Sequence, residues 1–75
     1  MEKKRAIYAG TFDPFTNGHL DIVLRAIKIV DELTILVAVS PNKTPLMSTE
    51  QRVSVLKKLF AHEPKIKVDS WSGLI

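Results

Sequence analysis

Apolar residues fall along the chain in five blocks, separated by polar stretches that hold most of the glycines and prolines. The first block, residues 5–10, is nearly all apolar after Arg5 and closes at Gly10, which predicts a short buried strand. Pro14 bars a helix in the loop 11–17, and Asn17 is the expected N-cap before Gly18. Residues 19–31 then carry Leu20, Ile22, Val23, Leu24, Ile27, Ile29 and Val30. These cover more than one stripe, which predicts a helix buried over a wide face and ended by Asp31-Glu32.

The run 33–39, Leu-Thr-Ile-Leu-Val-Ala-Val, is β-branched and does not alternate, the pattern of a parallel strand covered on both faces. A second loop, 40–45, follows it. Ser48-Thr49-Glu50-Gln51 forms a capping box with Ser48 as N-cap. The helix behind it is expected to bury Val53, Leu56, Leu59 and Phe60 and to stop before Pro64. Residues 65–69 alternate polar with apolar, which predicts a half-exposed edge strand, and 71–75 form a third strand-end loop.

The order β-α-β-α-β predicts an α/β fold, a parallel Rossmann-like sheet equivalent to the mononucleotide-binding half of a doubly wound domain. Right-handed crossovers give the strand order 3-2-1 and leave strand 1 with an open edge. Such an edge calls for a cover, either further chain or another molecule.

Composition narrows the class. At 75 residues the chain has room for one small domain at most, and such a chain buries only about 60% of its unfolded surface. Without cysteine it has neither a disulfide nor a thiolate metal site to staple it. The basic start, Met1 to Arg5, precedes an apolar run far too short for a secretory signal. No stretch reaches the roughly 20 apolar residues of a membrane span. A cytoplasmic protein with no membrane partner is therefore expected. The net charge of +3 is modest and is satisfied as well by small anions as by nucleic acid, which is not expected as a partner.

The topology brings the three strand-end loops to one rim. The first offers backbone N–H groups at a helix N-terminus, the Thr11 hydroxyl and the His19 imidazole in the first helical turn. The second offers Lys43, its one cation, and the third an apolar lining from Trp71, Leu74 and Ile75. A helix N-terminus, an imidazole and an ammonium suit phosphoryl or nucleotidyl transfer, where the protein positions reactants and stabilises spreading negative charge. Each residue also has a plainer role: a hydrogen-bonding first-turn His, a solvated Lys, a packing Trp. Asp13 before Pro14 reads as a turn former and His62 as a structural residue near a helix C-terminus. Neither G-x-G-x-x-G nor a Walker loop is present.

The stretch Gly10-Thr11-Phe12-Asp13-Pro14-Phe15-Thr16-Asn17-Gly18-His19 resembles the signature of the nucleotidyltransferase superfamily, with Thr16-Asn17-Gly18-His19 as the threonine form of its (H/T)-x-G-H element. With Arg5-Ala6-Ile7-Tyr8 before it and Leu20-Asp21-Ile22-Val23 after it, the stretch is similar to bacterial phosphopantetheine adenylyltransferases. Ser40 to Leu46 and Glu50 to Val53 match that family's second block, and Ser72 to Ile75 its pantetheine-facing segment.

The resemblance implies transfer of the adenylyl group of ATP to 4′-phosphopantetheine, giving dephospho-coenzyme A and pyrophosphate in coenzyme A biosynthesis, with Mg²⁺ as cofactor. It implies that Thr11 and Phe12 contact ATP, with Thr11 also at the acceptor phosphate. His19 binds ATP and stabilises the transition state, Lys43 binds the acceptor phosphate, and Leu74 and Ile75 line the pantetheine arm. It implies a homo-oligomer, a hexamer in the family; it names no residue as a ligand of the metal and leaves open whether the protein supplies one. The family's second half, with an Arg-Gly-x-Arg stretch and an Ile-Ser-Ser helix start, has no counterpart here. Residues 1–75 are accordingly expected to be the N-terminal half of one nucleotidyltransferase domain, truncated and inactive alone. The alternatives are another adenylyl- or cytidylyltransferase of the superfamily, or a non-catalytic nucleotide-binding or assembly module.

Overall fold

A computed structural model of the chain describes residues 3–12, 15–38 and 48–71. Three strands, β1 (Arg5–Gly10), β2 (Glu32–Ala38) and β3 (Ile66–Trp71), alternate with two helices, α1 (Asn17–Ala26) and α2 (Thr49–Leu59). The sheet is parallel in the order β1-β2-β3, as the crossover rule predicts. β1 covers the residues expected of it. β2 starts one residue earlier than its apolar run, because Glu32 already pairs with Arg5. β3 is an edge strand, and it extends through Trp71, which pairs with Ala38.

Register explains the core. Ala6 pairs with Leu33 and Leu33 with Ile66; Tyr8 pairs with Ile35 and Ile35 with Val68. In a pleated sheet these rows project to one face. That face meets Leu20, Val23, Ala26 and Ile27 of the α1 segment and Val53, Leu56 and Phe60 of the α2 segment, with Phe12 and Phe15 from the loop between β1 and α1. Two right-handed crossovers that step in the same direction put both helices on the same side.

The other side differs from expectation. β2 alternates half-buried and buried positions rather than being covered on both faces, and only its last residue, Ala38, is buried on the outer side. On that outer face Glu32 bridges Lys67 Nζ at 3.0 Å and Arg5 Nε at 3.8 Å, and Ile7 on the terminal strand β1 is 69% exposed.

The helices also bury less than their composition suggests. In α1 Val23 is fully buried, whereas Ile22, Leu24 and Ile29 (the last in the turn beyond the helix) are exposed. In α2 Leu56 is buried, as is Phe60 at its C-cap, but Leu59 is 52% exposed. A helix on one face of a sheet can bury only one stripe, and these residues lie off it. α1 ends at Ala26, five residues short of the expected 31; Ile27 caps it, and the Lys65 ammonium donates to the Ile27 carbonyl at 3.0 Å. Asp31 joins the strand starts by accepting from the Lys4 N–H at 2.8 Å and donating its own N–H to the Lys4 carbonyl at 2.7 Å.

Candidate functional site

The site is the passage from β1 to α1. The strand's last residue, Gly10, has almost no room for a side chain: a Cβ there would lie 3.0 Å from Cε1 and Cζ of Phe12. Phe12 itself has φ of +49°, in the left-handed region that a bulky L-residue enters at a cost of about 1–2 kcal/mol. Its ring, buried, makes edge contacts with Tyr8 at 5.2 Å and His19 at 5.1 Å and lies 5.5 Å from Phe15. Aromatic burial offsets the backbone strain and folds the loop onto the core.

The chain then enters α1 at Asn17, two residues before the expected start at 19. Thr16, not Asn17, is the N-cap, with extended φ/ψ of −105° and 172°. His19 stands at N3 and completes a capping box: its own N–H donates to Thr16 Oγ1 at 3.4 Å, and the Thr16 N–H donates to His19 Nδ1 at 2.9 Å. A backbone N–H can only donate, so Nδ1 must be the unprotonated nitrogen. The neutral ring therefore carries its proton on Nε2. Phe12 edge-on and Phe15 at 5.3 Å hold the half-buried imidazole plane. The result is an Nε2–H donor of defined tautomer beside a helix N-terminus, whose first N–H groups have no intrahelical acceptor. Such an end attracts phosphate.

The structure brings Phe12 and His19 into contact, and Thr11 precedes Phe12 with its carbonyl turned to Arg52. Lys43, Leu74 and Ile75, like Asp13, lie outside the described residues. Trp71 ends β3 and is largely exposed. Among the described residues no group of three or more His, Cys, Asp or Glu side chains is placed to hold a metal ion. A surface groove along α2, lined by Thr49, Val53, Lys57 and Ser70 among others, contains none of Thr11, Phe12, Thr16 or His19.

One residue of the site had been given no role. Arg52 is 4% exposed, and its Nη1 donates to the Thr11 carbonyl. The signal was present in the helical spacing, because Arg52, Leu56 and Phe60 recur every four residues and all three are buried. A cation within an otherwise apolar stripe needs partners inside the protein.

No helix among the described residues is long and apolar enough to cross a membrane. The chain is 50% identical over 70 residues to the phosphopantetheine adenylyltransferase of Cupriavidus taiwanensis, covering 93% of this chain and 44% of that protein. It is 51% identical over 71 residues to the one from Clostridium kluyveri, covering 95% and 43%. It therefore spans less than half the length of these relatives. Among solved structures, a NadR protein in complex with NAD and AMP-PNP superposes with a TM-score of 0.81 at 28% identity, over 99% of this chain and 22% of that one. A bifunctional NMN adenylyltransferase/ADP ribose pyrophosphatase from Francisella tularensis, at 19% identity and TM-score 0.78 over 96% of this chain and 23% of that one, shares the fold. The cytidylyltransferase-like family profile matches residues 7–75, and the chain belongs to that family.

Proposed function

We propose that the chain forms the nucleotide- and acceptor-binding half of an enzyme that transfers the adenylyl group of ATP to 4′-phosphopantetheine. The observation that carries this reading is His19, held by Thr16 in the Nε2–H tautomer at the N-terminus of α1. The two relatives of about 50% identity described above, both phosphopantetheine adenylyltransferases, support the choice of acceptor. The NadR complex with AMP-PNP supports a nucleoside triphosphate as donor.

In this reading an acceptor phosphate oxygen attacks the α-phosphorus of ATP in line. The bond to the bridging oxygen breaks, pyrophosphate leaves, and dephospho-coenzyme A remains. The loop backbone at Thr11 and Phe12 contacts ATP, and Thr11 also meets the acceptor phosphate. His19 Nε2–H donates to the α-phosphate, where negative charge spreads in the transition state. Lys43 neutralises the acceptor phosphate and orients it, and Leu74 and Ile75 line the pantetheine arm. No covalent intermediate is required. Mg²⁺ is proposed as the cofactor, neutralising phosphate charge when bound. The enzyme is proposed to be cytoplasmic and to assemble as a homo-oligomer, a hexamer on the family pattern.

We further propose that 75 residues hold too little of the ATP site to turn over alone. Turnover should appear when the chain is extended with the C-terminal part of the Cupriavidus taiwanensis relative. Comparable turnover by the isolated chain would show that it needs no second half.

A further inference from the structure

We infer that Arg52 is a positioning residue for the nucleotide loop, holding the Thr11–Phe12 peptide in the orientation that the proposed transfer uses. Its Nε donates to the Ser48 carbonyl at 3.4 Å and its Nη2 to Thr49 Oγ1 at 3.2 Å, which fix the guanidinium against the first turn of α2. Its Nη1 then reaches across 41 residues of sequence to the Thr11 carbonyl. All three acceptors are neutral oxygens. A buried guanidinium spent on neutral oxygens is poor stabilisation compared with an apolar side chain of the same volume. Its cost has a reason if the contact orients something.

What it orients follows from peptide geometry. The torsion φ of Phe12 turns about the bond that joins the Thr11–Phe12 peptide to the Phe12 Cα, and that torsion is the strained one, at +49°. Gripping the Thr11 oxygen therefore grips the plane whose rotation would relieve the strain. A trans peptide is planar, with C=O and N–H pointing opposite ways. Drawing the Thr11 oxygen toward α2 turns the Phe12 N–H to the side away from Arg52. Without Arg52 the strained residue can relax, and Phe12 carries the edge contact to His19 with it. One buried side chain on α2 thus sets both the loop backbone and the imidazole's packing.

This inference rests on the adenylyl-transfer reading for its kinetics but not for its structural consequence, and the test separates the two. Arg52→Lys, Arg52→Gln and Arg52→Leu are made in the extended chain. The carbonyl ¹³C resonance of Thr11 is read through the Phe12 amide, and the amide pattern of β2 serves as the check on folding. Loss of the charged donor should move the Thr11 carbonyl resonance upfield in Gln and Leu, with β2 unchanged, and Lys should lie between. Transfer should fall about 10–100-fold in kcat/KM for ATP, the scale of an ångström-sized misplacement, with kcat reduced. Guanidinium ion in the millimolar range should partly restore an Arg52→Ala variant. If Leu does not fold, Lys carries the test.

A folded variant with the Thr11 resonance unmoved and kcat/KM within twofold of the parent would overturn the assignment. An inactive parent would instead remove the adenylyl-transfer reading, and the Thr11 resonance would still decide the role of Arg52.

Discussion

The Thr16 backbone N–H donates to Nδ1 of His19 at 2.9 Å, so a helix cap and a prospective catalytic donor are one hydrogen-bonded unit. The bond leaves Nε2 to carry the proton of the neutral ring. ¹⁵N spectra of the neutral imidazole should show Nδ1 as the unprotonated nitrogen and Nε2 as the protonated one. The opposite assignment would break the link between cap and donor. In the extended chain, His19→Ala should lose on the order of 10²–10³-fold in kcat, as removal of other transition-state donors does.

Thr16 itself should matter chiefly to stability. Thr16→Ala removes the side-chain acceptor of the His19 N–H but keeps the backbone donor to Nδ1. Urea unfolding should register a loss of about 1 kcal/mol, the usual worth of an N-cap, and Thr16→Ser should restore most of it.

Gly10→Ala should be costly for a residue at a strand end. The added Cβ would meet the Phe12 ring at 3.0 Å, and Phe12 has the cluster of Tyr8, Phe15 and His19 behind it. A loss of about 1–3 kcal/mol is expected from such overpacking. Because the clash is with one ring, Phe12→Leu combined with Gly10→Ala should destabilise by less than the sum of the two single changes.

These sites show where the sequence was readable. β1 was legible from Arg5 to Gly10, and the Ser48–Gln51 box was legible because both partners are spaced for reciprocal bonds; they meet at 2.9 and 3.1 Å. His19 lies in the first turn of α1, as its place in the sequence predicts, but the cap expected at Asn17 lies at Thr16 and the helix expected from 19 begins at Asn17. The true cap, Thr16, uses His19 where Glu or Gln usually closes the box, so the pattern was disguised. Arg52 lies in the Glu50–Val53 stretch, but a periodicity counted over apolar residues alone does not show that it is buried and turned to the loop. The outward Ile22, Leu24 and Ile29 of the α1 segment and Leu59 of α2 were assigned to the core by hydrophobicity, which does not say how many faces a neighbouring sheet offers.

On the outer face, the Glu32 carboxylate is held below its ordinary pKa of 4.5, chiefly by its hydrogen bond to Lys67; desolvation opposes this, and the charges of Lys67, Arg5 and Lys3 add to the lowering. A carboxyl whose folded pKa is lowered contributes stability that is fully present above the unfolded value and is lost as pH falls through the folded value. Unfolding midpoints measured from pH 7 down to pH 3 should therefore decline less steeply in Glu32→Gln than in the parent. The difference should be small and should shrink with added salt, since the pair is partly exposed.

The identity of the acceptor is tested most directly by pyrophosphate release by the extended chain, with ATP and, in parallel, CTP as donor. The assay compares 4′-phosphopantetheine, nicotinamide mononucleotide and glycerol 3-phosphate at matched concentrations. Release with 4′-phosphopantetheine, accompanied by dephospho-coenzyme A and far exceeding that with the other two, is the predicted result. Preference for nicotinamide mononucleotide, or for CTP with glycerol phosphate, would contradict the account while leaving the family assignment intact.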